Sequence, residues 1–164
     1  MPSISIRPAT PADVPLILSL IKELAIYERE PDAAIATPQQ IHDHLFAPPV
    51  AGRASCECVI GELDAVPVGM ALFFMNFSTW LGKSGIYLED LYVKQSARGH
   101  GVGKALLVHL AKIAHARGCR RMEWAVLDWN TPAIDFYKSI GANPQSEWTT
   151  WRLKDEAIAR LAGM

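Results

Sequence analysis

Cysteine is scarce: the 164 residues hold three, an odd number that cannot pair fully within one chain. Cys56, Cys58 and Cys119 therefore read as reduced thiols, and the fold cannot depend on a disulfide framework. A dominant charge is missing too. Sixteen Lys+Arg against seventeen Asp+Glu leave a formal charge of -1, so no global field favours nucleic acid or anionic lipid, and neither is expected as a partner. No apolar run approaches the length that spans a bilayer, and Met1-Pro2-Ser3-Ile4 lacks the charged-then-apolar layout of a secretion signal. No membrane association and a cytoplasmic address are expected. Repeats, linkers and low-complexity tracts are lacking as well. What is present is 50% hydrophobic and 20% charged, the composition of one packed domain over residues 1–164.

Residues 3–7 alternate apolar and polar and predict a short first strand. Thr10-Pro11-Ala12-Asp13 supplies an N-cap, a first-turn proline and an acid at N3, opening a helix to about Tyr27 with Val14, Ile17, Leu18, Ile21 and Ala25 on one face. Thr37-Pro38-Gln39-Gln40 repeats that signal for a shorter helix through Leu45 that fades before Pro48 and Pro49, after an acidic connector over 28–32. Two strands, 56–63 and 68–77, are expected to form a hairpin about Asp64-Ala65-Val66-Pro67, with a third over 86–93. A glycine loop then opens a helix carrying Val102, Ala105, Leu106, Leu110 and Ile113, closed by Gly118. A strand over 121–128, a helix from Thr131-Pro132 to Gly141, a last strand over 148–153 and a short terminal helix complete the order. It indicates an α/β (α+β) fold with a mixed, mostly antiparallel sheet flanked by helices.

The loop Arg98-Gly99-His100-Gly101-Val102-Gly103-Lys104 lies between a strand and a helix start. Unpaired amides and the helix dipole there favour an anion, and missing Cβ atoms let a phosphate approach closely. Two nucleotide motifs fail: a Walker loop needs Gly at 98 and Ser or Thr at 105, and the dinucleotide fingerprint needs Gly at 104.

Arg98, Gly101 and Gly103 meet the Arg/Gln-x-x-Gly-x-Gly/Ala pattern, and the chain resembles the GCN5-related N-acetyltransferase (GNAT) family. The likeness extends from Ile6-Arg7-Pro8-Ala9-Thr10 through Tyr87-Leu88-Glu89-Asp90-Leu91-Tyr92-Val93 to Trp129-Asn130, Phe136-Tyr137-Lys138 and Gly141-Ala142. Ser78-Thr79-Trp80 and the segment 125–130 look like the diamine, polyamine and thialysine branch. The resemblance implies direct acetyl transfer from acetyl-CoA to an amine in a ternary complex, strands splayed at the acetyl-CoA site, and a homodimer.

A lysine-like ammonium is neutral in only ~0.04% of molecules at pH 7, a handicap of roughly 4.6 kcal/mol, so proton removal calls for catalytic residues. Glu89 is the candidate to receive the proton, directly or through a water, and to hold the cation. A solvated strand acid is its ordinary alternative. By resemblance, Tyr137 protonates the departing sulfur; a core tyrosine is the alternative. The coenzyme is expected to meet Leu91, Tyr92 and Val93 through backbone, the loop Arg98, Gly99, His100, Gly101, Val102, Gly103 and Lys104, and Asn130 and Ala133. The amine is expected at Tyr27, Glu28, Trp80 and Glu89, acids and aromatic faces suiting a cation. The branch's acid two positions before the tryptophan is Ser78 here, which weakens long polyamines as substrates.

No metal is expected. His42 and His44 share no helical face, and Cys56-x-Cys58 lacks the usual ligand gap. His109, in the apolar stripe of its helix, reads as a core histidine. Two other functions stay open: acetylation of a protein lysine or N-terminus, and a non-catalytic acyl-CoA-binding sensor.

Overall fold

The computed structural model describes residues 2–47 and 55–164; Pro48 and Pro49, expected to end the second helix, lie outside them. The chain divides into two units, residues 1–125 and 126–164. In the first, β1 (Ile4–Pro8), β2 (Glu57–Leu63), β3 (Val66–Ser78), β4 (Lys83–Val93) and β5 (Met122–Glu123) form one sheet in chain order. All neighbours are antiparallel except the β4–β5 pair. The helices are α1 (Val14–Tyr27), α2 (Pro38–Leu45) and α3 (Val102–Ala116). Among the described residues no helix is long and apolar enough to cross a membrane.

The β2–β3 hairpin is tighter than expected. Asp64 and Ala65 have φ of 50° and 62°, so these two alone make the turn, and Val66 and Pro67 already pair with Leu63 and Glu62. Consecutive positive φ values match the right-handed twist of the flanking strands.

Two apolar layers cover the sheet. On one face Ile17 and Leu20 of α1 and Leu45 of α2 pack with Cys58, Ile60, Met70, Leu72 and Tyr92. Full burial of Ile17 and Leu20 contributes roughly 1.5–3 kcal/mol each. On the other face α3 buries Val102, Leu106, Leu107, Leu110 and Ala114. It lies so close that a Cβ on Gly61 would stand 2.9 Å from Val102 Cγ1. His109 is half-buried at the rim of this stripe and not inside it.

A shared device ends α1 and α3. Cys119 N–H donates to Ala114 O and Gly118 N–H to His115 O, the paired bonds of a Schellman motif, with Gly118 at φ 68°. In α1 the same bonds run from Glu30 to Ala25 and from Arg29 to Ile26. There the left-handed position is held by Arg29 at φ 67°, where glycine is the usual residue.

The second unit contains α4 (Thr131–Ser139) and α5 (Glu156–Ala162). Two strand expectations fail. Of residues 121–128 only Met122 and Glu123 are strand, and residues 148–153 are not strand, with Trp148 73% and Trp151 91% exposed. Apolar content made both segments look like strands, but pairing needs a neighbouring strand that the alternation alone does not identify.

Candidate functional site

The pairing of β4 changes partway along its length. Leu88 stands opposite Phe73 and Asp90 opposite Leu72, so Glu89 is the extra residue of a β-bulge. Residues directly opposite share a sheet face. Before the bulge Leu88 therefore lies on the α3 face with Phe73, and after it Asp90 and Tyr92 lie on the α1 face with Leu72. Unbroken alternation would have put Asp90 in the α3 core beside Ile86 and Leu88. The bulge instead turns it toward the end of α1. β5 pairs only with Ile86 and Tyr87, so beyond Tyr87 the two parallel strands part and Leu88–Val93 have no β5 partner, a splay of the kind the resemblance implied.

Three carboxylates gather at this point. Asp90 is half-buried, and desolvation, then the charges of Glu89 and Glu28, push its pKa up to about 6. Glu28 is raised by burial. Cys56 is raised by burial and then by Glu89 and Asp90, which places its thiol beside the same acids and keeps it protonated. Glu89 is exposed. Such a cluster attracts an ammonium group and offers a base whose pKa lies nearer neutrality than an ordinary carboxylate's. Asp90 was not among the residues the sequence singled out. Its signal was an acid pair inside an apolar strand, and only the bulge shows which of the two turns inward.

The glycine loop follows β4. A 3-10 turn over Gln95–Ala97 leads to Arg98, and Gly99 and Gly101 have φ of 82° and 89°. Gly101 is the N-cap of α3 and provides no side-chain cap. The first intrahelical bond runs from Ala105 N–H to Gly101 O at 2.9 Å, so the amides of Val102, Gly103 and Lys104 have no acceptor within the helix. A Cβ on Gly99 would meet nothing within 4 Å, and one on Gly101 would meet only Ile4 Cδ1 at 3.7 Å. The loop is thus open on its outer side, with Arg98, His100 and Lys104 exposed along it. These features fit a phosphate-bearing ligand. Arg98 Nε donates to Val93 O at 3.1 Å, so that carbonyl is already engaged, while Leu91 is half-buried and Tyr92 buried.

A cleft of about 600 Å³ lies next to the loop, between α1 and the end of β4, lined by Glu23, Ile26, Tyr27, Tyr92, Lys94, Gln95 and Ser96. The structure therefore brings Tyr27, Glu28, Glu89 and the loop to one end of the sheet. Trp80 is not among them. It lies 89% exposed at the tip between β3 and β4, and Lys83 to Glu89 alone spans roughly 20 Å of strand. Ser78 is buried and accepts the Leu81 amide at 3.3 Å, a turn-making role.

In the second unit Asn130 is buried at the N-cap of α4 and Ala133 is half-buried. Tyr137 is also half-buried, its ring tilted against Phe136 at 5.6 Å. Ile140, three residues on, is 41% exposed. Gly141 N–H to Lys138 O and Ala142 N–H to Tyr137 O close the helix one turn past Tyr137. Among the described residues no group of three or more His, Cys, Asp or Glu side chains is arranged to hold a metal ion.

Known proteins share this architecture. A thialysine N-epsilon-acetyltransferase of Sus scrofa is 36% identical, covering 99% of each chain. An L-ornithine N5-acetyltransferase of Arabidopsis thaliana is 33% identical over 95% of this chain and 86% of its own. The solved structure of an integron cassette protein from V. cholerae superposes with a TM-score of 0.79 at 27% identity, covering 99% of each chain. The Acetyltransferase (GNAT) family matches residues 19–142, a span that holds both the bulged strand and the glycine loop. The chain belongs to that family and is an acetyl-CoA-dependent N-acetyltransferase.

Proposed function

We propose that the protein acetylates the primary amine of a small diamine or thialysine-like acceptor, by direct attack on acetyl-CoA in a ternary complex. The observation that carries this is the group Glu28, Glu89 and Asp90 beside the splayed end of β4. Relatives named for thialysine and L-ornithine support a small amine. The family match crosses the boundary between the two units, which supports reading residues 1–164 as one acetyltransferase domain. A homodimer and a cytoplasmic address belong to the same reading.

In this reading the pyrophosphate meets the amides of 99–104 with Arg98 and Lys104, the oriented helix dipole favouring its charge. The backbone of Leu91, Tyr92 and Val93 and the residues Asn130 and Ala133 hold the remainder of the coenzyme. Tyr27, Glu28 and Glu89 recognise the amine, and Trp80, at the far tip of the β3–β4 hairpin, has no part in it. The amine nitrogen gives a proton to Glu89 or Asp90, directly or through a water, and forms the new C–N bond at the thioester carbon. The C–S bond breaks, the sulfur takes a proton from Tyr137, and the second proton leaving the nitrogen restores Tyr137, so that one proton passes through the carboxylate to solvent for each acetyl transferred.

The test is an amine panel of thialysine, lysine, short diamines, spermidine and a lysine peptide, followed by thiol release from acetyl-CoA. Thialysine or a short diamine is expected to give the highest kcat/KM. A peptide preferred over every small amine, or no thiol release with any of them, overturns the reading. Tyr137→Phe is expected to lower kcat about 10²-fold or more, with the Kd for CoA within about twofold of the wild-type value; unchanged kcat removes the acid role.

A further inference from the structure

The proposed acceptor side and the coenzyme loop meet at one side chain. The Arg98 guanidinium carbon lies 4.4 Å from the centroid of the Tyr27 ring and 5.6 Å from that of Tyr92, while its Nε donates to Val93 O. Tyr92 is itself fixed. Its ring is buried in the α1 layer, its hydroxyl donates to Glu23 Oε2 at 3.3 Å, and Glu23 faces Lys94 Nζ at 3.8 Å. Tyr27, the last residue of α1, is set by the Schellman closure of that helix and packs partly against the same core. Rings from two different elements thus hold one cation at the head of the loop. An exposed arginine otherwise loses rotamer freedom when it binds an anion. A cation–π platform that orients it beforehand removes part of that loss.

We propose that Tyr27 is a positioning residue for the coenzyme as well as a contact for the amine. Its ring holds Arg98 in the orientation that meets the pyrophosphate, so the two substrate sites are energetically coupled through this stack. The coupling is reciprocal: a bound coenzyme that draws on Arg98 changes the face Tyr27 presents to the amine, and the amine changes coenzyme affinity by the same factor. The proposal rests on the loop and amine assignments above.

The test uses CoA as the probe, with calorimetric Kd on the full chain and steady-state kcat and KM for acetyl-CoA. Tyr27→Leu is expected to raise the Kd for CoA, and the KM for acetyl-CoA with it, about three- to tenfold. Tyr27→Phe keeps the ring and is expected to stay within about twofold of wild type. Arg98→Ala raises the same Kd, and adding Tyr27→Leu to it has little further effect, because the two side chains act as a pair. The proposal is overturned if Tyr27→Leu alters only the amine KM, or if its effect on CoA adds in full to that of Arg98→Ala. Failure of the underlying loop assignment looks different: Arg98→Ala and Gly101→Val would each leave CoA binding unchanged.

Discussion

Asp13 and Asp90 are both aspartates withdrawn from solvent in the same unit, and their surroundings act on them in opposite directions. Asp13 accepts two bonds from the Arg7 guanidinium, at 2.8 and 2.9 Å, and two more from the backbone and hydroxyl of Thr10. Those bonds hold its carboxyl well below the usual range despite burial. Arg7 reaches on to Glu62 at 2.7 Å, tying β1, β2 and the start of α1 together. Asp90 has burial and two more carboxylates instead, and its pKa goes up. Ionised Asp13 thus stabilises the fold, whereas ionised Asp90 opposes it. Perturbation without a compensating cation marks a functional carboxylate better than perturbation alone.

The largest expected effect breaks the second half of that contrast. Asp90→Asn is expected to lower kcat/KM for the amine about 10²- to 10⁴-fold while raising the melting temperature above pH ~7. The sign follows from linkage. The folded pKa of about 6 lies above the ordinary 3.8, so stability falls as pH rises between them, and the variant escapes that loss. A variant with full turnover, or with lower stability at neutral pH, contradicts the role given to Asp90.

Asp13→Asn tests the other half. It is expected to cost about 2–4 kcal/mol, read as a lower denaturant midpoint, because it leaves Arg7 without its bidentate partner and weakens the Thr10 cap. The kinetics of the folded protein should stay unchanged. The wild-type advantage is complete above the ordinary carboxylate pKa and shrinks as acid titrates Asp13, opposite to the Asp90 case. A smaller effect lies in the pH profile. Amine kcat/KM is expected to rise through pH of about 6, and that inflection should vanish in Asp90→Asn. Smallest is Arg29→Gly, which relieves a left-handed residue next to Glu28 and is expected to add about 1 kcal/mol of stability. A loss of stability there would show that the Arg29 side chain outweighs its backbone strain.

The glycine turn that opens α3 was readable from residues 98–104 because glycine spacing at a helix start is a local property. The caps at Thr10 and Thr37 and the closures at Gly118 and Gly141 were readable for the same reason. Residues 121–128 and 148–153 misled, since strand propensity describes a half-buried surface and not a partner. Asp90 stayed hidden because a bulge is a property of two strands: nothing in Tyr87–Val93 by itself says where the extra residue falls against β3.

By itself, then, the sequence determined the element order as far as α3, the helix ends and the glycine turn that opens α3, all of which rest on interactions within a few residues of one another. Tertiary structure decided which acid of the Glu89–Asp90 pair turns toward α1, that Tyr27 would flank Arg98, and that Trp80 would lie far from both. Those outcomes depend on register between strands and on where α1 ends against the sheet, distances set by packing between segments tens of residues apart.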